Sequence, residues 1–187
     1  MFIEIKEAIA HFYNNSSFDL IYSEALANSL DANASSFSIA IEIDSFDAVK
    51  TLKIQIEDNG NGFDDHNFDK FCNLLKKEDV HHKGLGRLVY LNYFQNVNIE
   101  SVFANNKKRC FDFNDKFEKE NELITLTENV ANYAKLTFIN FRNERLKSYD
   151  NLIPETIKHN LIKQFLPRLY VLKQQQKDFN LKISLST

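Results

Sequence analysis

Three short clusters in this chain combine residue types that can do chemistry. In the first, Glu24, Asn28 and Asp31 are spaced by four and then three residues. At about 100° per residue they share a roughly 60° sector of a helix, flanked by Ile21, Ala25 and Ala27. A short polar stripe between small apolar residues suits a pocket wall. A carboxylate there can activate water, and an amide oxygen can hold a hard cation. The ordinary alternative is a solvated helix face.

The second cluster is Asp58-Asn-Gly60-Asn-Gly62. Strand parity carries the face of Ile54 and Ile56 on to Asp58, so its carboxylate points to the core side. A carboxylate there is costly unless a donor meets it, which makes a ligand donor an expectation. Glycines at 60 and 62 let the backbone approach a flat ligand without Cβ interference. The alternative is a turn that merely closes a strand. The third cluster is Lys83-Gly84-Leu85-Gly86-Arg87. Glycines opening a helix permit close approach of a phosphate, and Lys83 and Arg87 add positive charge. The alternative is a flexible loop entering a helix.

These clusters depend on the elements around them. Ser16, Ser17 and Asp19 are N-cap candidates for a helix over 20–33. Strands are expected over 37–44, with Phe37, Ile39, Ile41 and Ile43 on one face, and over 51–57. A short helix over 67–75 and a polar loop over 78–83 lead to a helical stretch from Gly84 to Phe94. Four strand-like runs follow (97–103, 108–113, 123–127 and 135–141), with Asn105-Asn106 turning the first into the second. Pro154 suits the first turn of a long helix reaching about Lys173, and Pro167 is expected to kink or break it. The final strand-like run is 180–186. The order predicts an α+β fold, a two-layer sandwich with one mixed, mostly antiparallel sheet and helices on one face.

Composition bounds the rest. The 187 residues carry a net charge of −3, with 43% hydrophobic and 26% charged side chains, which fits one globular domain rather than disorder. No internal repeat or linker divides 1–187, and a chain stopping on a strand suggests the N-terminal part of a longer protein. Cys72 and Cys110 cannot build a disulfide framework. No apolar run approaches the ~18 residues of a membrane helix, and acids interrupt the start where a signal peptide is apolar. The expectation is a cytoplasmic domain off the membrane. Without a basic stripe, no direct nucleic-acid binding is expected from this domain alone.

Taken in order, the three clusters resemble the motifs of the GHKL superfamily, the Bergerat-fold ATP-binding domains of gyrase B, MutL, MORC proteins, heat-shock chaperones and histidine kinases. Glu24-Ala-Leu-Ala-Asn28-Ser-Leu-Asp31-Ala32 matches its N-box, Asp58-Asn-Gly60-Asn-Gly62 its D-x-G-x-G motif, and Lys83-Gly84-Leu85-Gly86-Arg87 its glycine motif. The resemblance covers about residues 16–141.

It implies binding of ATP or ADP with Mg²⁺, and slow hydrolysis that switches a larger protein, with an ATP-dependent homodimer in the full-length molecule. By it Glu24 is the general base, Asn28 a Mg²⁺ ligand, Asp58 the acceptor for the adenine amino group, and Gly62 a neighbour of the ring. Gly84 and Gly86 offer N–H groups to phosphates, 63–83 forms a lid, and Asp31 supports the pocket. The family's late threonine is absent: Ala134 stands in its register, and Thr137 is the shifted candidate.

Two other readings stay open: phosphotransfer of the histidine-kinase kind, and a nucleotide sensor without hydrolysis. His11 lacks the acidic neighbour of a phospho-accepting histidine and reads as a helical residue. His81-His82 read as part of a solvated lid.

Overall fold

A computed structural model describes residues 5–13, 15–72, 86–142, 146 and 148–187. Along them run α1 (Ile5–Phe12), α2 (Leu20–Asp31), β1 (Ser36–Glu42), β2 (Lys53–Asp58), α3 (Asp65–Cys72), α4 (Leu88–Tyr93), β3 (Phe94–Phe103), β4 (Lys107–Asn114), β5 (Glu122–Thr125), β6 (Tyr133–Phe141), α5 (Pro154–Gln174) and β7 (Asn180–Ser186). The strands pair in the order β5-β4-β3-β6-β2-β1-β7. Only β1 and β7 are parallel. This is the mixed, mostly antiparallel sheet of an α+β sandwich.

Period-two alternation builds the core. Ile39, Ile56, Leu136, Ile99 and Phe111 stand side by side across five strands. Ile41, Ile54, Phe138, Val97 and Phe113 form the next row. All ten are buried, each contributing about 1.5–3 kcal/mol relative to exposure. The intervening residues face outward and, apart from Ala40, are polar (Gln55, Thr137, Asn98 and Asp112); beyond them Lys108 pairs with Glu100 at 2.7 Å. The helices cover the apolar face. Tyr22 and Ser23 tie α2 toward α5, through Tyr22 Oη to the Asn151 carbonyl (2.9 Å) and Ser23 Oγ to Gln164 Oε1 (2.7 Å). On α5, Ile157, Leu161 and Phe165 are the buried residues.

The third core-facing row changes character. Phe37 is followed across the sheet by Asp58, Ala134, Ser101 and Arg109. Ser101 is fully buried and Arg109 is 3% exposed. Ser101 Oγ accepts from Phe63 N and donates to the Tyr133 carbonyl, both at 2.8 Å. Arg109 donates to the carbonyls of Phe63 (2.9 Å) and Asp64 (2.8 Å) and to Asp65 Oδ1 (2.5 Å). Its guanidinium lies over Phe68 and Phe103. These bonds pin the segment between β2 and α3 to the sheet.

Several expectations are corrected. Asp19 holds the N-cap position of α2 but makes no side-chain cap bond. Ser16 instead accepts from Asn92 Nδ2 on α4 at 3.1 Å. The strand expected from Thr51 begins at Lys53, because Val49–Thr51 form a 3₁₀ turn in which Thr51 Oγ1 donates to the Ala48 carbonyl. The helix expected from Gly84 starts at Leu88, with Gly86 and Arg87 in a turn before it. Pro167 does not end α5, which runs on to Gln174. Pro167 and Lys163, whose carbonyl loses its partner, are both exposed, so water can satisfy that oxygen. Of the expected lid, everything beyond Cys72 lies outside the described residues, including His81, His82, Lys83, Gly84 and Leu85. So does the side chain of His11, which falls within α1.

Replacing Arg109 by Met keeps the stem but leaves two buried carbonyls without donors. Each such loss costs about 1–3 kcal/mol, so thermal denaturation is expected to show a melting point lower by roughly 5–15 °C.

Candidate functional site

The wall formed by α2 carries the first cluster. Glu24 is half-buried and Asn28 exposed. Asn28 Nδ2 donates to Glu24 Oε1 at 3.2 Å, which leaves the amide oxygen Oδ1 to face a ligand. Asp31 also lines the cavity described below, and its Oδ1 takes a 2.7 Å bond from Arg168 Nη2 on α5. That pair is exposed on both sides and adds little to stability, but it holds the end of α2 against α5.

Asp58 ends β2 on the core-facing side, as strand parity requires. Its Oδ2 accepts from Ser29 Oγ at 2.8 Å and its Oδ1 from Gly60 N at 2.8 Å. Burial raises its pKa above the ordinary carboxylate range, and these two bonds oppose the rise without cancelling it. Ser29 was not among the sequence candidates. The signal was present: at about 100° per residue it lies roughly 140° around the helix from Glu24, on the core side with Tyr22, where a hydroxyl needs a partner.

The two glycines are needed for reasons internal to the chain. Gly62 has φ +73°, and a Cβ there would lie 2.5 Å from the Val102 carbonyl oxygen. A Cβ on Gly60 would lie 2.9 Å from Ala32 and from Asp58 Oδ1. A Cβ at either position would therefore meet the protein itself, and Gly62 also lines that cavity. Gly86 is different. A Cβ there would lie 2.0 Å from Glu24 Oε2, so the missing side chain makes room for the carboxylate of the first cluster.

Thr137 is not part of this site. The β6 register places Ala134 opposite Asp58 and Thr137 opposite Gln55 and Asn98. Ala134, Leu136 and Phe138 take the core face, so parity sends Thr137 to the outer one. The hydroxyl beside Asp58 comes from Ser29 instead.

Between α2, the end of the sheet, α3 and α4 lies a cavity of about 200 Å³. Ala25, Ile56, Ala134 and Leu136 give it an apolar surface, and Asn28, Asp58, Arg87 and Tyr90 bring polar groups. Arg87 is 8% exposed. Its guanidinium lies 4.4 Å from the centre of the Phe71 ring, and its Nη2 donates to the Lys70 carbonyl at 3.3 Å. Burial pulls its pKa down to about 10, with the Glu24 charge opposing the fall, so it remains a cation at neutral pH. Sequence reading placed Arg87 as a source of charge and missed both Tyr90 and the stacking on Phe71. Chemically, the cavity suits a flat, partly apolar ring with a donor edge toward Asp58 and an anionic part near Arg87.

A family model described as histidine kinase-, DNA gyrase B- and HSP90-like ATPase matches residues 16–144. Among solved structures, the N-terminal domain of a DNA repair protein superposes with a TM-score of 0.56 at 15% identity, over 99% of this chain and 55% of that one. The ATPase domain of Aquifex aeolicus MutL complexed with ADP gives 0.50 at 16% identity, over 89% of this chain and 60% of that one. At such identities the likeness is one of fold, and the chain spans about 55–60% of the length of these structures. No curated protein matches the chain by sequence.

Two outcomes follow for variants without ligand. Because the folded-state pKa of Asp58 lies above its unfolded value, its contribution to stability is complete below the unfolded pKa and is lost as pH rises through the folded one. Asp58→Asn is therefore expected to melt no lower than the wild type at pH 7, with any gain shrinking as pH falls through the folded pKa and gone below the unfolded value of about 4; melting curves across pH check this. Gly86→Ala is expected to fold, since the clash falls on the flexible end of Glu24, but to displace that carboxylate. A crystal structure of the variant with Glu24 unmoved would contradict it.

Proposed function

The chain belongs to the histidine kinase-, DNA gyrase B- and HSP90-like ATPase family, and from that premise we propose that it binds ATP with Mg²⁺ and hydrolyses it slowly. The observation that carries the reading is the polarity of one cavity: a half-buried carboxylate, Asp58, at one side, and Asn28 and Arg87 at another, with Glu24 bonded to Asn28 beside it. An adenine amino group is a donor and a triphosphate is an anion, so an adenine nucleotide meets both demands at once.

In this reading Asp58 accepts from the adenine amino group, with Ser29 and the Gly60 N–H holding the carboxylate in place. Apolar surface from Ala25, Ile56, Ala134 and Leu136 covers the ring. Arg87 and the backbone at Gly86 face the phosphates; the resemblance assigns the same role to Lys83 and Gly84, which lie outside the described residues. Glu24 orients and deprotonates the attacking water, its carboxylate accommodated by the bare Cα of Gly86.

The donor set fits Mg²⁺. Among the described residues no group of three or more His, Cys, Asp or Glu side chains could hold a metal unaided, and Mg²⁺ is commonly held by one or two protein oxygens together with substrate phosphates and water. Asn28 Oδ1 is the protein oxygen offered here. Bound there, the cation would neutralise charge on the phosphates. Turnover is slow where chemistry waits on conformational steps. The domain then acts as a switch in a longer protein, pairing with a second copy when ATP is bound.

One observation favours a second reading, a sensor that binds without hydrolysis: Ala134 brings no hydroxyl to Asp58. Phosphate release separates the two. Glu24→Gln is expected to lower release about 10²–10⁴-fold while Mg²⁺–ADP still raises the melting point. Wild-type release no faster than that of Glu24→Gln would favour the sensor. For binding itself, Mg²⁺–ADP at 100 times its Kd should add about 2.7 kcal/mol, a rise of roughly 5–10 °C. Asp58→Asn should weaken that binding about ten- to a hundredfold. No rise in the wild type would remove the nucleotide reading altogether.

A further inference from the structure

Tyr90 is 1% exposed in the cavity wall, yet its hydroxyl has no hydrogen-bond partner among the described residues. Its ring meets Phe138 edge-on, 5.1 Å between centres and 89° between planes, which fixes it between α4 and the sheet. A phenylalanine would make the same packing without burying an unsatisfied hydroxyl, so packing alone does not account for the tyrosine. Three residues earlier, and so on the same side of the turn, Arg87 also lines the cavity with its Nε unpartnered. Two buried donors, on residues that line one space, thus lack an acceptor among the described residues.

The location of the hydroxyl within that space can be read from its neighbours. The Asn28 side chain acts on it directly and so lies beside it, which puts the hydroxyl on the Glu24–Asn28 side; a tyrosine hydroxyl there can act as a donor. Asp58 has its own donors in Ser29 and Gly60 and does not call on it. Among the described residues no acceptor is in place for Tyr90, and a ligand can supply one on the side where Arg87 favours negative charge.

Resting on the nucleotide reading above, we propose that the Tyr90 hydroxyl is a further ligand-binding group, donating a hydrogen bond to a phosphate oxygen of the Mg²⁺-bound nucleotide. It thereby distinguishes the phosphorylated ligand from the bare nucleoside. The ring packs and the hydroxyl reads, so the two roles separate in one near-isosteric variant.

The test is Tyr90→Phe in the full chain, with adenosine and Mg²⁺–ADP titrated calorimetrically and the ligand-free melting point measured. The variant is expected to melt no lower than the wild type and to bind adenosine equally well. Its affinity for Mg²⁺–ADP should fall about ten- to a hundredfold, as for loss of a hydrogen bond to a charged acceptor. Unchanged Mg²⁺–ADP affinity would overturn the proposal, as would an equal loss for adenosine, which would assign the hydroxyl to the nucleoside. A markedly lower ligand-free melting point would make it a structural group and overturn it too. A wild-type chain that binds neither ligand overturns the nucleotide reading, and this inference with it; a wild type that binds both while Tyr90→Phe matches it overturns this inference alone.

Discussion

A carboxylate on the core-facing side of a sheet has to be given donors, and the end of this sheet is organised around that need. Asp58 sits in register with Phe37 and Ala134, one step beyond two rows that are wholly apolar. Two donors reach it. Ser29 comes from the helix lying over the sheet, and the Gly60 N–H comes from the chain doubling back on itself. The second bond requires the loop to press against Ala32, which leaves no space for a Cβ at residue 60. Loop sequence, helix placement and strand register are thereby set by one group. Even so its pKa remains raised: the charge is tolerated rather than stabilised.

The same edge relies on two buried arginines for a different purpose. Arg109 holds the start of α3 through two carbonyls and Asp65, while Arg87 meets the far end of α3 through the Lys70 carbonyl and the Phe71 ring. A guanidinium suits both places because it is planar, offers several donors in a fixed plane and stacks on aromatic faces. Phe71 in turn stands edge-on to Phe63, Phe111 and Phe113. Much of the chain's phenylalanine is therefore a platform under α3, and α3 is located by contacts that begin on three different strands and helices.

The core was legible because its signal is periodic. Phe37, Ile39, Ile41 and Ile43 alternate without exception, and all four are buried. The three polar clusters were legible by residue type and spacing, and two of them, 24–31 and 58–62, come together in the described structure. What could not be read were pairings between distant segments. Nothing local says that Arg109 reaches Phe63, that Arg87 stacks on Phe71, or that Arg168 takes Asp31. Thr137 was misplaced for a related reason: the type of residue was right for a hydroxyl near Asp58, but the parity of β6 points it outward. Ser29 carried its own clue, a hydroxyl on the apolar side of a helix. Pro167 shows the opposite limit, since a local rule against proline fails where water can take the place of the lost donor.

Three groups perturbed in different senses meet at this cavity. Asp58 is harder to ionise than an ordinary aspartate, Arg87 holds its proton less firmly than an ordinary arginine, and the Tyr90 hydroxyl has nothing to bond to. Each costs stability in the empty protein, and hydrophobic burial elsewhere offsets the cost. A single ligand that donates at one side and carries negative charge at the other relieves them together. Perturbed groups cluster where function requires them, and here their signs also say which kind of molecule completes the site. The apolar rows supply stability, and the polar row at their end uses part of it to leave a cavity whose unmet hydrogen bonds are complementary to a nucleotide.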